Sequence, residues 1–213
     1  MSSATQSRHV DGELARVERA VAAIAAGRPV VVRDDADGTG TVVFAAASAT
    51  GRQLAFTVRH TSGLVCVALT PEVCDRLRLP PIHYANPSQR VTVDLAHGIS
   101  TGISAHDRAR TIAALGDQRT VATDFTRPGH VMPVQTDPDG LLAFPGPAEA
   151  AVELTLLAGL GPAAAFGAVI SLDLPAEMAH GPELHRFATR HDLELVSVAD
   201  LVAHRRLAGP PPL

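Results

Sequence analysis

The sequence predicts a single α/β domain whose sheet is covered by helices on both faces. Three observations predict it. Helical and strand patterns alternate from Asp11 to Arg206, the strands at 30–32 and 168–172 are apolar on both faces, and no linker, repeat or low-complexity tract interrupts the chain. A chain of 213 residues, 46% of them hydrophobic, suits one domain with a sizeable core. That domain is expected over 11–207, with tails at 1–10 and 208–213.

The elements follow in order. Asp11 is placed to cap a helix carrying Leu14, Val17, Val21 and Ile24 at helical spacing, and Gly27 stops it. Val30–Val32 reads as a buried strand, Asp34–Gly40 as an acidic turn, and Thr41–Ala46 as the returning strand. Gln53–Arg59 reads as a helix and Leu64–Leu69 as an apolar strand. Pro71 suits the first position of a helix that ends before Pro80. Arg90–Leu95 alternates as a strand does, and Ser104 opens a helix with Asp107 near the positive end of its dipole. Asp124–His130, with Pro128 and Gly129 and no apolar period, reads as a loop. Pro147 starts a helix ending near Gly159; Ala168–Leu172 is a strand, Pro182–His191 a helix, Leu193–Val198 a strand and Ala199–Arg206 the closing helix.

Composition narrows the function. The formal charge is −4 and all 18 basic residues are Arg, spread without a basic run, which argues against nucleic-acid binding. Cys66 and Cys74 lack metal or redox spacing, so a reduced, cytoplasmic setting is expected. No apolar run approaches the ~20 residues of a membrane span.

Candidate chemistry lies in a few places. His130 is the natural general acid or base, Cys66 a thiol on an apolar strand, and Asp35 a possible proton acceptor in the acidic turn. Arg59, His60 and Ser62 end a helix, where cations favour the dipole or contact an anion. Thr101, Ser104, Asp107 and Arg108 surround a helix N-terminus, which serves as a cap or an anion site.

Four segments are similar to the 3,4-dihydroxy-2-butanone-4-phosphate synthase family: 57–66 (TVRHTSGLVC), 98–108 (GISTGISAHDR), 127–130 (RPGH) and 156–163 (LLAGLGPA). The likeness runs from about Val17 to Arg205. It implies a layered α-β-α domain with a mixed sheet, working as a homodimer on a small-molecule substrate. It also implies active-site roles for Cys66 and His130, with Arg127 beside them binding substrate. The family converts ribulose 5-phosphate to its four-carbon product and formate with magnesium.

The departures set a second expectation. The family's DDEDRENEGD turn corresponds to 34–41 (DDADGTGT), and its RGGHTEA run to 144–150 (FPGPAEA). The metal-binding Glu and His are thus absent, Phe144 replaces a phosphate-contacting Arg, and Glu149 is the lone acid of that helix start. Magnesium is usually held by carboxylates with waters and substrate oxygens. The expectation is therefore a repurposed, metal-independent enzyme performing an isomerisation, cyclisation or elimination, with no cofactor and no metal ligands. The alternatives are a non-catalytic ligand-binding or regulatory homodimer, and the family's own reaction, with magnesium if that chemistry survives.

Overall fold

The computed structural model describes the backbone of residues 3–83 and 85–209, with side chains from residue 12 onward in those ranges. The chain forms the expected three layers, helix–sheet–helix. The first helix, α1 (Ser3–Ala25), begins eight residues ahead of Asp11, the cap expected from sequence. Gly27, at φ +71°, takes the left-handed conformation that ends it. Strands β1 (Val30–Arg33) and β2 (Gly40–Ala45) form an antiparallel hairpin around the acidic turn. Helix α2 (Gly51–His60) starts on Thr50, whose hydroxyl and the Gln53 side chain form a reciprocal cap. Strand β3 (Cys66–Leu69) and helix α3 (Pro71–Arg76) follow, the latter with Pro at its first position as expected.

The strand anticipated over Arg90–Leu95 divides in two. Strands β4 (Pro81–His83) and β5 (Asn86–Arg90) pair with each other, and β6 (Val93–Leu95) pairs with a later strand. Helix α4 (Ala105–Gly116) is capped by the Ser104 hydroxyl, which accepts from the Asp107 amide at 3.0 Å. The expected loop at 124–130 is instead the front half of β7 (Phe125–Gln135). Asp94 stands opposite Thr126 while Val93 stands opposite Val131, so Arg127–His130 form a bulge, with the Arg127–Pro128 bond cis.

Helix α5 (Pro147–Leu157), strand β8 (Ala163–Ala168), helix α6 (Pro182–His191), strand β9 (Leu195–Ser197) and helix α7 (Val198–Ala208) complete the fold. Residues 210–213 of the expected C-terminal tail lie outside the described residues.

The sheet runs β4-β5-β7-β3-β8-β2-β1-β9 and is mixed: β7 and β3 are parallel, as are β1 and β9, while the pairs between them are antiparallel. One face, with Val30, Val32, Val43, Ala68 and Ala164, packs under α1, α5 and α7. The other, with Phe44, Val65, Val67 and Ala165, packs under α2, α3 and α4. Helix α6 extends that second layer through Leu184 and Phe187 over Val31 and Val42. Arg16 grips the Asp200 carboxylate with two hydrogen bonds at 3.0 and 2.7 Å, tying α1 to α7.

Candidate active site

The strand register gathers several polar segments at one end of the sheet. Val43, Phe166, Cys66 and Met132 lie in one row across β2, β8, β3 and β7. Two residues further along lie Thr41, Ala168, the approach to β3 at Ser62–Leu64, and His130.

His130 is the focus of this end. Its Nδ1 lies 2.6 Å from Asp94 Oδ2, and its backbone amide donates to Asp94 Oδ1 at 3.0 Å. Asp94 is 7% exposed, whereas the His130 side chain is 40% exposed. A buried carboxylate thus grips an imidazole whose far side is open.

Two glycines make this possible. A Cβ on Gly129 would sit 2.0 Å from the Val93 carbonyl carbon, so only glycine lets the bulge press onto β6. Gly102, at φ +82°, would place a Cβ 2.3 Å from Asp94 Oδ2. The 98–104 loop is held over the pair by Asp107, whose Oδ2 accepts from Ser100 N, Ser100 Oγ and Gly102 N. Those bonds hold the Asp107 carboxyl below its ordinary range. Arg108 is buried nearby. Its Nη1 reaches the Gly63 carbonyl only at 3.5 Å, and its Nε has no partner among the described residues. Burial lowers its pKa, partly opposed by the Asp94 charge. Asp94 went unrecognised in the sequence. It sits on an alternating strand out of phase with Val91 and Val93, a pattern that points to solvent rather than to a buried partner.

The other expected site residues fall into separate groups. Ser62, Thr101 and Ser104 are exposed around the dyad's end of the sheet. Cys66, next in the register, is mostly buried, and that burial pushes its thiol up to about 11, so it is not a ready nucleophile near neutrality. Arg127 is committed to the backbone: Nη1 donates to the Ala122 and Phe125 carbonyls at 3.1 and 3.0 Å, and Nη2 to Leu77 at 2.7 Å. The expectation that it binds substrate is corrected to one of holding the bulge. Arg59 is exposed at the end of α2. His60 turns instead toward α6, in a ring cluster with Phe56, Phe187 and His191, its centroid 4.6 Å from that of His191. His60 is therefore removed from the site. Asp35, expected as a proton acceptor, pairs with Arg33 at 2.6 Å, and its Oδ2 accepts from the Ala199 amide at 2.7 Å, serving the N-terminus of α7.

Phe144 and Glu149 lie at the opposite end of β7, with Pro87, Ser88 and Gln135 around one groove. Glu149 is buried, accepts from the Asp137 amide at 2.9 Å, and has its carboxyl raised by burial. Gln135 lies five residues beyond His130, about 16 Å along an extended strand. Within one chain Phe144 and Glu149 do not meet the dyad.

The acidic turn is equally self-contained. Asp34 Oδ1 accepts from Ala36 N at 2.8 Å; Asp37 Oδ1 accepts from Thr39 N at 2.8 Å and Thr39 Oγ1 at 2.7 Å. These Thr39 bonds hold the Asp37 carboxyl below its usual range. Three strand steps, at about 4.8 Å each, put the turn's strand about 14 Å across the sheet from His130.

Fold and dyad together define an α-β-α scaffold that holds a partly exposed histidine on a buried carboxylate. The chain belongs to the 3,4-dihydroxy-2-butanone 4-phosphate synthase family, whose model matches residues 18–204. It is 50% identical over 197 residues, 89% of its length, to the riboflavin biosynthesis protein RibBA of Salinispora arenicola. It is 49% identical over the same length to RibBA of Mycobacterium tuberculosis. The chain spans about half the length of these curated relatives, 46% in each case. A solved 3,4-dihydroxy-2-butanone 4-phosphate synthase in complex with two magnesium ions superposes with a TM-score of 0.84 at 36% identity, covering 91% of this chain and 98% of that one. The two-domain RibBX synthase of A. baumannii gives 0.83 at 36% identity, over 89% of this chain and 57% of its own.

These relationships overturn the expectation of a repurposed enzyme. Half of the aligned positions agree with riboflavin biosynthesis proteins across nine-tenths of the chain, whereas the departures from the family's motifs lie in 34–41, in 144–148 and at Ser171, which stands where the resemblance places a further Glu. The magnesium of the solved relative is a separate matter. Among the described residues no group of three His, Cys, Asp or Glu side chains converges to hold a metal ion. The turn's carboxylates each have an oxygen engaged by neighbouring donors, and Pro147 offers no side-chain ligand. These residues do not fit a magnesium ion anchored by protein side chains.

Proposed function

We propose that the chain catalyses the reaction for which its family is named, forming 3,4-dihydroxy-2-butanone 4-phosphate and formate from ribulose 5-phosphate. The observation that carries this reading is the 50% identity to a riboflavin biosynthesis protein along 89% of the chain, with the Asp94–His130 pair built into the matched region. The five substrate carbons divide into a four-carbon product and one-carbon formate. Such a rearrangement begins by removing a proton from a carbon beside the ketone, leaving the electron pair in an enediol. A histidine with one open ring nitrogen is suited to take that proton and return it later.

In this reading the enzyme is a cytoplasmic homodimer acting on a small molecule, without nucleic acid or membrane. Pairing is supported by Leu64 and Ile103, 51% and 52% exposed beside the dyad's end of the sheet. No helix among the described residues is long and apolar enough to cross a membrane. Formate release from ribulose 5-phosphate, assayed with and without added magnesium, tests the reaction. No formate under either condition refutes it. Light scattering tests the dimer.

A further inference from the structure

We propose that the cavity between α2, the entry to β1 and the end of α6 binds a planar heterocycle bearing a phosphate ester. The inference does not rest on the functional reading above, because the cavity lies apart from the dyad. Gly27, Arg28 and Pro29 lead into β1 where Val30 pairs with Val43, at the strand end away from the dyad. Strand β1 stands four strand steps from β7, about 19 Å across the sheet.

The cavity holds about 450 Å³, within the range of small-molecule sites, and its lining divides by chemistry. One wall is made of rings. Phe56 and His191 face it half-buried, their centroids 5.1 Å apart and their planes at 80°. Behind them stand Phe187, 4.7 Å from His191, and His60, 4.7 Å from Phe56. Phe187 is 1% exposed and already fastens α6 over Val31 and Val42, so the two outer rings present surface that this packing leaves open. Burial, and then the charge of Arg190, hold the His191 imidazole below its ordinary range. Near neutrality it is an uncharged ring suited to stacking.

The rim is cationic. Arg28 and Arg52 both line the cavity and are exposed, and neither has an ion pair or side-chain hydrogen bond among the described residues. Arg16, Arg19 and Arg33, which line the larger cleft beside β9, are by contrast each paired with a carboxylate. Asp192 is the single acid of the lining, in a chain whose formal charge is −4. Guanidinium groups match phosphate oxygens, and a ring wall takes a heterocycle by stacking. The neutral polar groups are engaged elsewhere: Gln53 Nε2 donates to the Gly27 carbonyl at 2.9 Å, and Thr50 caps α2. They fix the shape and leave the rings and the two arginines to recognise a ligand. A bare phosphate would leave the ring wall unused, and an uncharged ring would leave the arginines unused.

Isothermal titration calorimetry of the full chain at low salt tests this, with adenosine 5′-monophosphate and riboflavin 5′-phosphate as probes. The pair separates a purine from a larger tricyclic ring. At least one probe is expected to saturate one site per chain, at least about tenfold more tightly than its unphosphorylated parent and than inorganic phosphate. The His191 ring resonances should move on saturation while those of His130 stay. In the Arg28→Met, Arg52→Met double variant, which loses no internal partner, the phosphorylated probe should weaken at least about tenfold and any binding of its parent should be unchanged. Saturation by neither probe, equal affinity for inorganic phosphate, an unchanged affinity in the double variant, or shifts at His130 in place of His191 each overturns the proposal. Formate release decides the catalytic reading separately.

Discussion

Replacing Gly102 by alanine tests the packing that holds the dyad. Two costs act at this position. The backbone is at φ +82°, which a residue with a Cβ tolerates at about 1–2 kcal/mol. The added Cβ would also lie 2.3 Å from Asp94 Oδ2 and 2.6 Å from its Cγ, a clash with a buried side chain whose relief costs about 1–3 kcal/mol. At about 2–4 °C per kcal/mol for a domain of this size, Tm should fall by roughly 10 °C. Gly140 supplies the comparison: its φ is +69°, but nothing lies within 4 Å of an added Cβ. Gly140→Ala should lose only the conformational cost, about 1–2 kcal/mol. Thermal unfolding of both variants, with NMR of His130, separates the two contributions. If G102A is no less stable than G140A and leaves the His130 resonances unmoved, the crowding argument is refuted.

Other outcomes follow from the same geometry. Arg127→Met should lower stability in urea by about 2–4 kcal/mol, through lost charge-assisted bonds to the Leu77, Ala122 and Phe125 carbonyls; a stable R127M with only KM raised would restore Arg127 as a substrate ligand. Both thiols are pushed up to about 11 by burial, above the ordinary value of 9. The folded state therefore keeps protons that the unfolded chain gives up, and this contribution is complete below pH 9 and lost as pH rises through 11. Denaturation midpoints of wild type and a Cys66→Ala, Cys74→Ala variant across that window should show the wild type alone losing this increment. Titration of the substrate-free protein with manganese, followed by electron paramagnetic resonance, should show no saturable micromolar site; finding one would overturn the argument from the donor set.

Much of the fold was legible because its punctuation is local. Pro71, Pro147 and Pro182 open helices where a missing N–H costs nothing, and the alternation of patterns led to a sheet between helical layers. The illegible parts are those where tertiary packing overrides local preference. Ala163, Ala164 and Ala165 favour helix, yet they form a central strand between β2 and β3, where the small side chains admit α5 and α4 to the two faces. Pro128 and Gly129 look like a loop, yet they form a bulge pressed onto β6. Asp94 was hidden for the same reason. Its partner is 36 residues away and reaches it only because the bulge exists.

The site was legible as a set of residues but not as an arrangement. His130, Asp107, Arg108 and the 100–104 loop converge, while Phe144 with Glu149, Asp35 and His60 are carried to three other places by β7, the β1–β2 turn and α2. This separation explains why the departures in the turn and at Pro147 misled the reading of function. Both lie away from the dyad in a single chain, and substitution there leaves the carboxylate–imidazole pair and its two supporting glycines intact. Loss of ligand residues at one place is a statement about how a cation is held. It becomes a statement about the reaction only if the proposed proton-transfer group is lost with it, and here the His130–Asp94 pair is retained.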